Sequence, residues 1–287
     1  ETYSKKGDLI CDIFCGSGTA LVESRLLGRN AYGIDLNPLA IFLAKAKTTT
    51  INPQKLLKEY IALLARVGKV KDSEIQRPNF KNIDFWFKEK VIIKLSKLKK
   101  AILEIKYKNI QNFLMVAFSE TVRYSSNTKT GEFKLVRVKG EKLEKHDPDV
   151  LGIFRKNAEK NIAGMNDFYK NAENKSWTKI IYSDSSKDND IKANSIDCII
   201  TSPPYGDSRT TVAYGQFSRL SAQWIDVFNN PNDASGVDNE LLGGRATKNL
   251  THTLSSDYLK EALKKISKQD EVRARDVLSF NIDLNES

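Results

Sequence analysis

The chain has 287 residues, 40% hydrophobic and 29% charged, so a globular protein of one large or two modest domains with a real core is expected. No stretch approaches the roughly 18 apolar residues of a membrane span, and residues 1–8 lack the apolar centre of a signal peptide, which points to a soluble, cytoplasmic protein. The net charge of +10 is uneven: residues 1–50 carry +1, 51–178 carry +12 and 179–287 carry −3, so the middle segment either faces a polyanion or consists of ordinary solvated helices in a lysine-rich chain. Cys11, Cys15 and Cys198 lie in or beside apolar runs, far in sequence from His146 and His252, a pattern that argues against both a disulfide framework and a zinc site.

In chain order, "DLICDIFC" (8–15) is a short apolar strand that meets the glycine turn "GSGT", and "ALVESRLLGRN" (20–30) has helical spacing closed by Gly28. "AYGIDLNP" (31–38) is a second strand ending at Asp35, with Pro38 opening a helix to about Lys47. This order of strand, glycine turn, helix, strand and acid begins a doubly wound α/β sheet. Helical periodicity then runs through 54–67, 89–107 and 110–124. Between Ser125 and Trp177 the pattern weakens, with a short strand expected at "EFKLVRV" (132–138) and a helix at "DVLGIFRKNAEKNI" (149–162). "TKIIYSDSS" (178–186) restores the strand pattern and ends near Asp184. The sheet is thus interrupted by about 130 residues, far more than an ordinary crossover, which reads as a functional subdomain. Three parts are expected: 1–50 and 178–287 forming the sheet domain, and 51–177 a basic, mainly helical insertion.

Residues 196–208, "IDCIITSPPYGDS", form an apolar run expected to be a fully buried strand, stopped where Pro203 removes a donor and fixes φ. A rigid Ser-Pro-Pro-Tyr at a strand's carboxyl end can present carbonyls, a hydroxyl and a ring to something held above the sheet. A loop rich in Gly, Asn and Ser is expected from there to about Ser255, then helices at 256–268 and 276–287.

The turn "DIFCGSGT" departs from the dinucleotide fingerprint, since Leu21 stands at the third glycine position. Gly16 and Gly18 still let backbone approach a ligand, and helix N-terminal amides can face a carboxylate as well as a phosphate, which suits a cofactor carrying an amino acid. Asp35, at the tip of the second strand, is placed to accept hydrogen bonds from ribose hydroxyls.

"DIFCGSGT" followed by "TSPPYGD" resembles the S-adenosylmethionine-dependent DNA amino-methyltransferases of restriction-modification systems, and serine at the head of "SPPY" resembles their N4-cytosine branch. Adenine-modifying relatives more often carry Asp or Asn there. The resemblance implies a Rossmann-like methyltransferase sheet, incomplete at both ends, with the final strands that usually complete it and the upstream cofactor-contacting segment expected to fall outside this chain. It implies that Phe14, Gly16, Ser17, Gly18 and Thr19 bind S-adenosylmethionine, with Asp35 at its ribose and Asp184 at its adenine edge. Ser202, Pro203, Pro204 and Tyr205 would hold the target base. Double-stranded DNA is the implied partner, with a cognate restriction endonuclease as companion, and a prokaryotic cytoplasm the implied location. No histidine lies near the motif, in keeping with a transfer that needs positioning more than a strong base. The flipped base would be stacked by Tyr205.

The same residues also fit other readings. The glycines and Asp35 also suit a nucleotide-binding dehydrogenase, and Asp184 also suits a turn. Cys15 reads better as a small apolar side chain than as a nucleophile. Arg209, Arg219 and Arg245 are candidates for phosphate contacts. N6-adenine methylation, an RNA amino-methyltransferase and a non-catalytic DNA-binding subunit are the rival functions.

Overall fold

A computed structural model describes residues 2–129, 131–132, 134–173, 175–187, 189–206 and 212–287. Strands β1 (Leu9–Asp12), β2 (Asn30–Asp35), β3 (Thr178–Tyr182) and β4 (Cys198–Ile199) form one sheet in the order β3-β2-β1-β4. Every pairing is parallel, with Leu9 opposite Asn30, Ala31 opposite Thr178 and Ile10 opposite Cys198. The chain therefore winds outward from β1 to β3 and then returns to the other side of β1. In such a sheet the crevice beyond the strand tips, where winding reverses, is where ligands bind. Here that crevice lies above β1 and β4.

The helices are α1 (Thr19–Leu26), α2 (Pro38–Thr48), α3 (Pro53–Val67), α4 (Ile83–Trp86), α5 (Glu89–Leu103), α6 (Lys108–Ser125), α7 (Glu141–Glu144), α8 (Val150–Asn171), α9 (Tyr214–Trp224), α10 (Asp257–Ser267) and α11 (Glu271–Glu286). Several begin where an N-cap oxygen takes an orphan amide: Asn37 accepts from Leu39 N at 3.0 Å, Asn52 from Lys55 N at 3.1 Å and Asp149 from Gly152 N at 3.0 Å. Among the described residues no helix is long and apolar enough to cross a membrane.

One large buried cluster runs from Leu39 of α2 through Leu56 (α3), Leu95 (α5), Phe118 (α6) and Phe154 (α8) to Trp224 at the end of α9. The Trp224 ring meets Phe87, Phe118 and Phe80 edge-on, at centroid distances of 5.6, 6.0 and 6.4 Å, the arrangement favoured by aromatic quadrupoles. A smaller cluster of Ile10, Cys15, Leu21, Ala31 and Ala44 fixes α1 and α2 to the sheet.

The α/β class and parallel sheet agree with expectation, and four local readings are corrected. The 132–138 stretch is no strand among its described residues; it is an irregular segment held by a single antiparallel bridge from Thr128 to Arg137. The helix read at 149–162 continues to Asn171. The loop expected after Tyr205 contains α9, whose polar-looking serines are buried: Ser221 Oγ donates to the Ser119 carbonyl of α6 at 2.6 Å. Finally, the 196–201 run is not a fully buried strand. Only Cys198 and Ile199 pair, and Ile199 and Ile200 are 61% and 46% exposed, because no described strand lies along their outer edge.

Candidate active site at the strand tips

β1 ends at Asp12, and the chain then turns through Ile13 to Thr19 with Gly16 and Gly18 at φ of +49° and +81°. Gly18 starts α1 and must be glycine twice over: its conformation is left-handed, and an added Cβ would lie 2.9 Å from Ala44 Cβ. At Gly16 a Cβ would meet nothing within 4 Å, because this residue faces the crevice. Asp35, at the tip of β2, locks the turn. Its Oδ2 accepts from Gly16 N at 2.8 Å and its Oδ1 from Asn37 N at 2.7 Å. Burial pushes the Asp35 carboxyl above its ordinary range, against the pull of these two hydrogen bonds.

The crevice is lined by Phe14, Gly16, Asp35, Asp184, Ser202 and Pro204 of the residues expected from sequence, so one pocket joins the glycine turn to the Ser-Pro-Pro-Tyr segment. Asp184 is also a turn residue, its Oδ1 accepting from Ser186 N at 3.1 Å and Ser186 Oγ at 2.8 Å. Ser17, Gly18 and Thr19 do not line the pocket: Gly18 is buried against α2, Thr19 is exposed, and Ser17 Oγ receives Lys47 Nζ at 3.2 Å. Pro203 and Tyr205 are exposed beside the pocket, Tyr205 by 75%. Cys15 is buried in the small cluster between sheet and helices, as a packing residue would be.

Sequence reasoning missed part of the lining. Leu36, Asn37 and Ala40 follow Asp35, while Tyr214, Glu240, Leu241 and Leu242 arrive from the segment read as a loop. Asn37 Nδ2 donates to Ser218 Oγ of α9 at 3.1 Å, and Asp238 Oδ1 accepts from Gly215 N at 2.8 Å, which brings Tyr214 and the 237–242 turn to the pocket. Of the candidate phosphate contacts, Arg209 lies outside the described residues, Arg245 is exposed, and Arg219 is half-buried with desolvation pulling its pKa down. Within the basic segment, Lys97, Lys99 and Lys100 sit on Asp72, Asp226 and Glu104 at 2.5, 2.5 and 3.2 Å.

A parallel sheet with a glycine turn on β1, an acid on β2 and Ser-Pro-Pro-Tyr after β4 keeps the motif order on which the sequence resemblance rests, and residues 1–46 match the family model described as DNA methylase. The chain is 44% identical over 296 residues to Type II methyltransferase M.MvaI of Kocuria varians, an alignment covering 96% of this chain and 65% of that protein. It is 41% identical over 66 residues to Type II methyltransferase M.MjaII of Methanocaldococcus jannaschii, covering 23% of this chain and 12% of that protein. Over nearly its whole length the chain is thus similar to a type II methyltransferase, and it spans under two thirds of the length of either relative. No solved structure matches it.

Proposed function

We propose that this chain is the methyl-transferring part of a site-specific DNA methyltransferase that acts on the exocyclic N4 of a flipped cytosine, with S-adenosylmethionine as donor. The observation that carries the reading is the single pocket lined by both Gly16 with Asp35 and Ser202 with Pro204. The residues present fit such a cofactor. Gly16 leaves open space where any side chain would intrude, and the Asp35 carboxylate, with one backbone donor on each oxygen, retains lone pairs for ribose hydroxyls. Asp184 and the apolar Leu36, Leu241 and Leu242 complete a site for a nucleoside. When bound, the cofactor supplies an electrophilic methyl group on a cationic sulfur.

The chain's own residues then have a positioning task. A cytosine amino nitrogen is a weak nucleophile because its lone pair is delocalised into the ring. The Ser202 hydroxyl and the Pro203 carbonyl each accept one of its hydrogens, which favours a pyramidal nitrogen with its lone pair turned towards the methyl. Pro203 and Pro204 hold that carbonyl and the Tyr205 ring in fixed relation, and Tyr205, exposed in the free protein, stacks on the extruded base. Orientation is the larger part of the rate enhancement, and the amino proton leaves once the nitrogen has become cationic. Serine at the motif's first position supports cytosine N4 over adenine N6. Residues 1–50 and 178–287 form the transferase part in this reading, and the basic segment 51–177 faces the DNA.

The test is direct. DNA incubated with the protein and methyl-labelled S-adenosylmethionine is digested to nucleosides and analysed by mass spectrometry. N4-methylcytosine is the expected product. N6-methyladenine as sole product overturns the base assignment, and 5-methylcytosine or no methylated nucleoside overturns the function.

A further inference from the structure

The glycine turn and the Ser-Pro-Pro-Tyr segment are joined by a contact between Asp12, which opens "DIFCGSGT", and Thr201, which opens "TSPPYGD", 189 positions apart in sequence. Asp12, the last residue of β1, is 6% exposed. Its Oδ1 accepts two hydrogen bonds, from Phe14 N of the glycine turn at 3.1 Å and from Thr201 Oγ1, just before Ser202, at 2.7 Å. The β1–β4 ladder ends nearby, with Ile200 N donating to the Cys11 carbonyl at 2.9 Å. The strand pairing therefore stops short of Ser202, and the Thr201 hydroxyl carries the connection one residue further.

We propose that Asp12 is a positioning residue, a clasp that holds the Ser-Pro-Pro-Tyr segment in register with the glycine turn through the Thr201 hydroxyl. A one-residue swing at Thr201 would move Ser202 and the Pro203 carbonyl away from the turn while leaving Gly16 and Asp35 in place. A buried carboxylate is an expensive way to hold a chain reversal, and burial does push the Asp12 carboxyl above its ordinary range. A hydrogen bond to a charged acceptor is the stronger kind, which suits a connection that must fix one strand tip against another. The inference deepens the transferase reading and rests on it for its kinetic consequence alone.

The experiment compares wild type with Thr201→Val, Thr201→Ser, Asp12→Ala and the Thr201→Val/Asp12→Ala double variant. Two readouts are taken: amide hydrogen exchange in the peptide containing residues 199–206, and single-turnover methyl transfer beside cofactor affinity by calorimetry. Thr201→Val is expected to speed exchange at Ser202 and Gly206 and to slow transfer, each on the order of tenfold or more, with cofactor affinity within about twofold of wild type. Thr201→Ser should restore both readouts. The double variant should exchange no faster than the worse single variant, because both remove one connection. Wild-type exchange in Thr201→Val, or a loss of cofactor affinity as large as the loss of transfer, overturns the clasp. Should Asp12→Ala fail to fold, the Thr201 pair decides alone. If the wild-type protein transfers no methyl group, the transferase reading falls while the exchange comparison still decides the clasp.

Discussion

The two glycines of the turn should separate when each is replaced by alanine, although they are two residues apart and both have positive φ. At Gly18 the new Cβ would lie 2.9 Å from Ala44 Cβ and 3.1 Å from Ala44 Cα, a contact with α2 itself that no rotamer relieves. Overpacking of this kind costs about 1–3 kcal/mol, and a left-handed alanine adds about 1–2 kcal/mol, so Gly18→Ala should lose about 2–5 kcal/mol. At 2–4 °C per kcal/mol for a chain of this size, the melting midpoint should fall by roughly 4–20 °C. At Gly16 the steric part vanishes, since nothing lies within 4 Å, leaving only the conformational cost of about 1–2 kcal/mol. The methyl group then occupies space in the crevice, and affinity for S-adenosylmethionine should fall by about tenfold or more, as expected for a displaced ligand contact of about 1.4 kcal/mol. Urea unfolding and calorimetric titration on the same preparations separate the two effects. Equal stabilities for the two variants, or wild-type cofactor affinity in Gly16→Ala, would refute the division of labour.

Three further outcomes are expected. Because burial raises the Asp35 carboxyl above 3.8, its charge is lost sooner on acidification than that of a solvated aspartate, so cofactor affinity should step down as pH falls through that raised value; Asp35→Asn should bind more weakly throughout and lack the step, and superimposable profiles would remove Asp35 from the site. The folded state also holds that proton more tightly than the unfolded chain does, so this group's stabilising contribution is present below pH 3.8 and lost as pH rises through the folded value. Burial pushes the Cys11 thiol up to about 11 and the Cys15 thiol higher still, so at pH 8 Cys11 is thiolate in only about one part in a thousand; peptide mapping after brief iodoacetamide treatment should show Cys198 labelled first, and labelling of Cys15 ahead of it would contradict the packing. Since Lys97, Lys99 and Lys100 each sit on a carboxylate, replacing all three with alanine should change the slope of log DNA affinity against log salt by less than about one; anisotropy titrations showing a flattening of two or more would mean that these ion pairs open on DNA.

What was legible in the sequence was local. The glycine turn, Asp35 and Ser-Pro-Pro-Tyr announce themselves because tight turns and strand tips demand particular residue types within a few positions, and the long helices because their apolar spacing repeats over several turns. What escaped was decided by packing partners distant in the chain. Helix Tyr214–Trp224 looked like a loop because Ser218 and Ser221 read as polar, yet they are buried against Asn37 and the Ser119 carbonyl. Glu240, Leu241 and Leu242 reach the pocket only because Asp238 fastens their turn to the start of that helix. The run at 196–201 looked buried by composition, but burial depends on a neighbour, and Ile199 and Ile200 have none along their outer edge among the described residues. Asp12 and Thr201 each open a legible motif, but the hydrogen bond between them joins residues 189 positions apart and no local pattern announces it.

The measurement that bears most directly on the central proposal is the nucleoside digest of DNA methylated with labelled cofactor, run on the wild-type protein and on Ser202→Ala. N4-methylcytosine from the wild type, with a slower rate but unchanged cofactor affinity in Ser202→Ala, is the expected result. The absence of any methylated nucleoside across varied DNA, or a label on the cytosine ring carbon, would contradict it.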